Sequence, residues 1–150
     1  MQVSIQTETR EALRALDRAS GETKAGIRRA LSMIGAVVKH TAVRYAPISP
    51  TSALLRKLGK GNKQGTPGGL MRSITFASDA EKTEVFVPSN SEAGKYARKM
   101  HDEKGLSWWR RGPGTAAKGP QADHKFILRA IQDEEGTIGR IVDDEMEKVT

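Results

Sequence analysis

The sequence predicts an α+β fold: long N-terminal and C-terminal helices packed on a small antiparallel β-sheet, with long irregular loops between them. Three observations carry this reading. Ile27, Leu31, Ile34, Val38, Thr41 and Tyr45 recur at spacings of four and three, the period of one helix face. Residues 70–77 and 84–88 read as strands, with Ile74 alternating with Phe76 and with Val85 and Val87 on either side of Phe86. The stretches 47–69 and 103–123 are rich in glycine, proline and cations and show neither period.

Taken in order, residues 9–19 form a short amphipathic helix, with Leu13, Leu16, Ala12 and Ala19 on one face and Arg10, Arg14 and Arg18 on another. Ser20 or Thr23 caps the long second helix. It ends near Ala46, because Pro47 disfavours helical geometry in the residue before it. Residues 47–69, with three prolines and five glycines, form an extended basic loop. The polar connector 78–83 joins the two strands as a hairpin. Residues 91–102 form a short helix bearing Tyr96, Ala97 and Met100, and 103–123 a second irregular loop. A last helix runs from His124 with Ile127, Ala130, Ile131, Ile138, Ile141, Val142 and Val149, and Gly136 marks a break.

The 150 residues suit a single domain, and the apolar fraction of 37% predicts a small core with arms or surfaces left for a partner to cover. With no cysteine there is neither a disulfide framework nor thiolate chemistry. The opening MQVSIQTETREAL lacks the layout of a secretory signal, and no apolar run approaches a membrane span, so a soluble chain without membrane contact is expected.

Charge is segregated along the chain. Between Glu22 and Asp79 there is no acid, while Lys24, Arg28, Arg29, Lys39, Arg44, Arg56, Lys57, Lys60, Lys63 and Arg72 supply ten cations. Residues 133–150 carry seven acids against Arg140 and Lys148, a net charge of minus five. Such polarity steers a chain toward nucleic acid, and equally lets one subunit's acidic end meet the next subunit's basic middle.

The glycine-rich, basic 59–69 stretch does not make a phosphate loop. Gly59 is followed five residues on by Gln64 and Gly61 by Thr66, so the closing Gly-Lys-Ser/Thr is missing, and a helix precedes the loop where a strand is needed. His40, His101 and His124 are scattered, and His101-Asp102-Glu103 diverge on any regular element, which argues against a metal site. No spaced nucleophile signature appears, so no catalytic residue, cofactor or metal ligand is assigned and no enzymatic activity is expected. Trp108, Trp109, Arg110 and Arg111 form the most unusual local feature. They suit anchors at a protein interface, a cover for the core, or base stacking.

Several blocks resemble a known family. Tyr45-Ala46-Pro47 closing a long helix, Gly69-Leu70-Met71-Arg72-Ser73-Ile74 opening a strand, Tyr96-Ala97, the Gly112-Pro113-Gly114-Thr115 turn and Lys125-Phe126-Ile127-Leu128-Arg129-Ala130-Ile131 before a C-terminal helix are similar, in that order, to blocks of phage tail-completion or neck proteins. Two departures stand out: residues 48–68 intervene where the family passes quickly from one block to the next, and the arginine follows Met71. The resemblance implies a structural virion protein, a tail-terminator-like subunit of a usually hexameric homo-oligomeric ring at the head-tail connection. It would sit in the neck or tail beside head-tail connector and tail tube proteins, with transient contact to genomic DNA, after assembly in the host cytoplasm.

Within that reading, a basic face carrying Arg44, Arg56, Lys57, Lys60 or Lys63 meets an acidic face carrying Asp143, Asp144, Glu145 or Glu147 on the next subunit. The alternative is a basic nucleic-acid-binding accessory protein that sets Arg56, Lys57, Lys60, Lys63, Arg110 and Arg111 against phosphates.

Overall fold

The computed structural model describes residues 2–6, 18, 20–46, 69–91, 93–94, 97–102 and 125–149. The helix expected over 9–19 lies outside these apart from Arg18, which is helical. The loops expected over 47–69 and 103–123 lie outside them as well, save Gly69.

Helix α1 (Gly21–Tyr45) begins where Ser20 accepts a hydrogen bond from the Thr23 amide at 3.2 Å. Glu22 in its first turn and Arg44 in its last suit the helix dipole. It stops at Ala46, whose extended backbone (ψ 134°) is what a following proline demands. Leu31, Ile34, Val38 and Thr41 of the predicted stripe are buried. Gly26, Ala30, Gly35 and Ala42 are buried too, so the covered surface is wider than one stripe. The cause is position: α1 packs on the sheet and also on the C-terminal helices.

The strand expected from Leu70 starts later. Residues Gly69–Ser73 form a helical turn, α2, and β2 is Thr75–Ser78. A strand would set Arg72 on the same face as Leu70 and Ile74, which are both buried; the helical turn swings Arg72 out to solvent. Strand β3 (Lys82–Phe86) pairs with β2 as the predicted antiparallel hairpin, Phe76 opposite Val85 and Thr75 opposite Phe86. Asp79 closes the turn by accepting from the Glu81 and Lys82 amides at 2.8 and 3.0 Å, and these amides hold its carboxyl below the usual range. Strand β1 (Gln2–Gln6), absent from the sequence reading, pairs antiparallel with the other side of β3, giving the order β1-β3-β2.

Of the helix expected over 91–102, Ala97–Asp102 forms α3, Ser91, Ala93 and Gly94 are not helical, and residues 92, 95 and 96, Tyr96 among them, lie outside the described residues. Before α3 the chain makes tight turns: the Ser91 hydroxyl donates to the Pro88 carbonyl at 2.6 Å, and the Gly94 amide to the Ser91 carbonyl at 3.0 Å. The C-terminal helix is two: α4 (Phe126–Asp133) and α5 (Glu135–Glu147). The break falls at Glu134, not at Gly136, which lies inside the first turn of α5. Asp133 and Glu134 are tethered to α1, and the chain bends at that anchor. Helix α4 starts from Lys125 in left-handed backbone (φ 54°), its amide donating to the His101 carbonyl at 2.6 Å.

Val38, Leu70, Ile74, Val85, Phe126 and Ile127 centre the core, which α1 shares with the sheet on one side and α4 on the other. Gly35 sets how close α1 comes to the sheet. A Cβ there would lie 2.4 Å from both the Phe76 ring and Thr83 Oγ1. Alanine normally favours a helix over glycine by about 1 kcal/mol. Here the clash reverses the sign, and Gly35→Ala should lower unfolding stability by about 1–3 kcal/mol in urea titrations. Stability equal to or above wild type would show that the sheet yields freely to the added methyl.

Candidate functional site

Helix α1 and the α4–α5 pair are joined at both ends. At the C-terminal end of α1, Thr41 Oγ1 donates to Glu134 Oε1 at 2.8 Å and the Tyr45 hydroxyl donates to Asp133. The bond to Asp133, ahead of burial, pushes the Tyr45 phenol above its ordinary value, and the Arg129 guanidinium lies 5.6 Å from its ring centre. At the other end, Arg29 Nε donates to Glu145 Oε2 at 2.8 Å and Lys148 Nζ to Glu145 Oε1 at 2.7 Å. Beside them Gly26 lies under Val149 and Met146. Contacts of 41 with 134 and of 29 with 145 mean that α5 runs antiparallel to α1.

These ties correct one assignment. Glu145 does not belong to an exposed acidic face: it is 3% exposed, and both carboxylate oxygens serve the chain's own Lys148 and Arg29. The Lys148 ammonium first, then the Arg29 guanidinium, holds its carboxyl below the usual range. Asp143, Asp144 and Glu147 are exposed on α5, as the sequence reading requires. Arg44 is exposed in the last turn of α1. The remaining candidates, Arg56, Lys57, Lys60, Lys63, Trp108, Trp109, Arg110 and Arg111, lie outside the described residues. Sequence reasoning missed the pairing of Arg29 with Glu145, since 116 positions separate them and no local spacing links them.

The two helices are opposite in charge. Along α1, Lys24, Arg28, Arg29, Lys39 and Arg44 stand against Glu22; along α5, Glu135, Asp143, Asp144, Glu145 and Glu147 stand against Arg140. Their mutual contact involves Arg29 and Glu145, while Arg28, Arg44, Asp143 and Asp144 are exposed. The outer side of α5 also carries Gly136 and Gly139, where an added Cβ would meet none of the described residues within 4 Å. Each is about 0.5–1 kcal/mol less favourable in a helix than alanine. Met33 on α1 (46% exposed) and Val142 on α5 (40%) add apolar area.

Among the described residues no group of three or more His, Cys, Asp or Glu converges on a metal position, and no helix is long and apolar enough to cross a membrane. His101 is a core residue, edge-on to Phe126 with ring centres 5.1 Å apart. No family model, curated protein or solved structure matches the chain. Opposed charged faces flanked by small and apolar residues suit recognition and docking.

The Glu145 cluster makes a pH prediction. Its folded-state pKa lies below the unfolded one, so its stabilisation is complete above the ordinary glutamate range and is lost as pH falls through the folded value. Glu145→Gln should melt below wild type at pH 7, and the gap should close as the buffer is taken below about pH 4. A gap of constant size down to that pH would mean that shape, not charge, is what Glu145 supplies.

Proposed function

We propose that this chain is a structural subunit of a homo-oligomeric ring at the head-tail connection of a long-tailed phage. One observation carries the reading. The blocks that resemble tail-completion proteins are spread from position 45 to position 131, yet Ala46, Leu70, Ile74, Ala97, Phe126, Ile127 and Ala130, drawn from four of them, belong to one buried cluster. That convergence is what the resemblance requires, since blocks of one packing unit must share its core. The ring reading also gives the segregated charges a use. Neighbours in a closed ring meet through two different surfaces, so an acidic face on one copy can lie against a basic face on the next. The subunit then acts by assembling with its copies and with connector and tube proteins, and its place is the virion neck.

The nucleic-acid reading draws on the acid-free run from 23 to 78, of which Arg28, Arg44 and Arg72 are exposed. Two measurements on the full chain separate the readings. Light scattering at increasing protein concentration in low salt should give a closed species of several copies, visible as rings by electron microscopy, with slower assembly as salt rises. Neutralising Asp143, Asp144 and Glu147 should slow that assembly and leave the monomer melting temperature nearly unchanged, because exposed pairs contribute only about 0.2–1 kcal/mol each. A chain that stays monomeric at every concentration and binds duplex DNA with a log-log salt slope of about −5 would overturn the ring in favour of phosphate binding.

A further inference from the structure

We propose that α5 is an exchangeable helix: it lies on α1 of its own chain in the monomer, and on α1 of a second copy when the bend at Glu134 straightens and α4 and α5 become one helix. The inference goes beyond the ring reading and does not need it, since a reciprocal pair satisfies it as well. Ile127, Ile131, Glu134, Ile138, Ile141 and Glu145 follow one another at spacings of four, three, four, three and four, so one helical stripe passes through the bend without losing register. Ile127 and Ile141 are buried, and Ile131 and Ile138 pack against the same cluster. The sequence thus suits one continuous helix, and the chain folds it into two.

The step between the two forms is small. Glu134 (φ −93°, ψ 7°) departs from helical torsions by about 30° in φ and about 50° in ψ. Its amide donates to the Ala130 carbonyl at 3.0 Å and its carbonyl accepts from the Ile138 amide at 2.8 Å, bonds that a continuous helix also makes. Straightening keeps both and gives one helix from Phe126 to Glu147, about 33 Å long. The two halves are also held differently. Helix α4 buries Phe126, Ile127 and Ala130 among its eight residues, whereas α5 buries Ile141 and Glu145 among thirteen. The cations that clasp Glu145 reach into water, Arg29 being 52% exposed and Lys148 61%. Helix α4 is part of the core; α5 is docked through a small apolar centre with a polar rim, the anatomy of a contact between chains.

The strip of α1 under α5 names its own occupant. A Cβ at Gly26 would lie 3.2 Å from Val149 and 3.4 Å from Met146, so the missing side chain there is shaped to the end of α5, and Arg29 Nε meets Glu145 at 2.8 Å. A second copy brings the same Val149, Met146 and Glu145. Exchange therefore remakes each of these contacts between chains, and its main cost is the lost freedom of two copies, which rising protein concentration offsets. Helices handed on in turn close a ring, and helices handed back make a pair.

The chain has no cysteine, which makes exchange directly readable. Val149 lies within disulfide reach of a side chain added at Gly26. Gly26→Cys in one full-length chain and Val149→Cys in another of different mass cannot bond within a chain. Equilibrated together at high concentration and then oxidised, they should give the mixed dimer in excess over the proportion that random pairing sets, and the excess should grow with concentration. A mixed dimer at the random proportion at every concentration would overturn the exchange. The clasp supplies a second test. Arg29→Glu sets two carboxylates against each other within its own chain, and Glu145→Arg two guanidiniums, so each variant alone should melt below wild type and sediment as a monomer. Mixed, they match opposite charges only across chains, and should sediment as a dimer with most of the lost melting temperature regained. Two folded variants that stay monomeric in the mixture would count against exchange, and should either fail to fold, the cysteine pair decides alone. Rings without the mixed disulfide would leave the ring reading standing and strike the exchange, whereas mixed dimers that never grow beyond pairs would keep the exchange and strike the ring.

Discussion

Everything in this fold is arranged around one close approach, the passage of α1 across the sheet at Gly35. A side chain there would collide with Phe76 and Thr83, so the missing methyl fixes the distance between helix and strands. From that distance the rest follows. Val85 and Thr83 bury against the helix, Ile34 and Val38 reach the same interior, and the far side of α1 is turned toward α4 and α5. A 37% apolar chain can complete a core on these terms because one helix is used on both sides.

The parts legible in the sequence were those in which a local period coincides with the final environment. The four-three spacing from Ile27 to Tyr45 marks α1, and Ser20 and Pro47 bound it. The β2–β3 hairpin reads from Val85, Val87 and the polar turn before them. Misreadings arose where two periods agree. Leu70 and Ile74 share a face in a helix and in a strand alike, and the exposure of Arg72 tells them apart. Strand β1 has only Val3 and Ile5 as apolar residues, a signal too short to separate from a polar terminus until β3 is placed beside it. The bend at Glu134 depends on Thr41, ninety-three positions away, and leaves no mark in nearby residues.

The candidate surface was legible to the level of charge and no further. Segregation of acids and cations along the chain reads directly, but whether an acid faces its own chain or the outside is a tertiary fact. Glu145 lies among Asp143, Asp144 and Glu147 and is chemically akin to them, yet the helix period turns it alone inward to Arg29. That inward turn, together with the Thr41–Glu134 bond at the other end, sets the C-terminal helix antiparallel to α1 and leaves the neighbouring acids on the outside.

The sheet order carries a consequence for the path by which the chain reaches its native state. Strand β1 is made well before its hydrogen-bonding partner β3, with Gln2 opposite Phe86 and Gln6 opposite Lys82. The hairpin of β2 and β3 closes a short loop on a timescale of about 1–10 μs, whereas β1 must wait until the intervening chain has been made and must then overcome a larger closure entropy. Nascent β1 thus waits for β3 to be made, and it is added to the edge of a hairpin already in place.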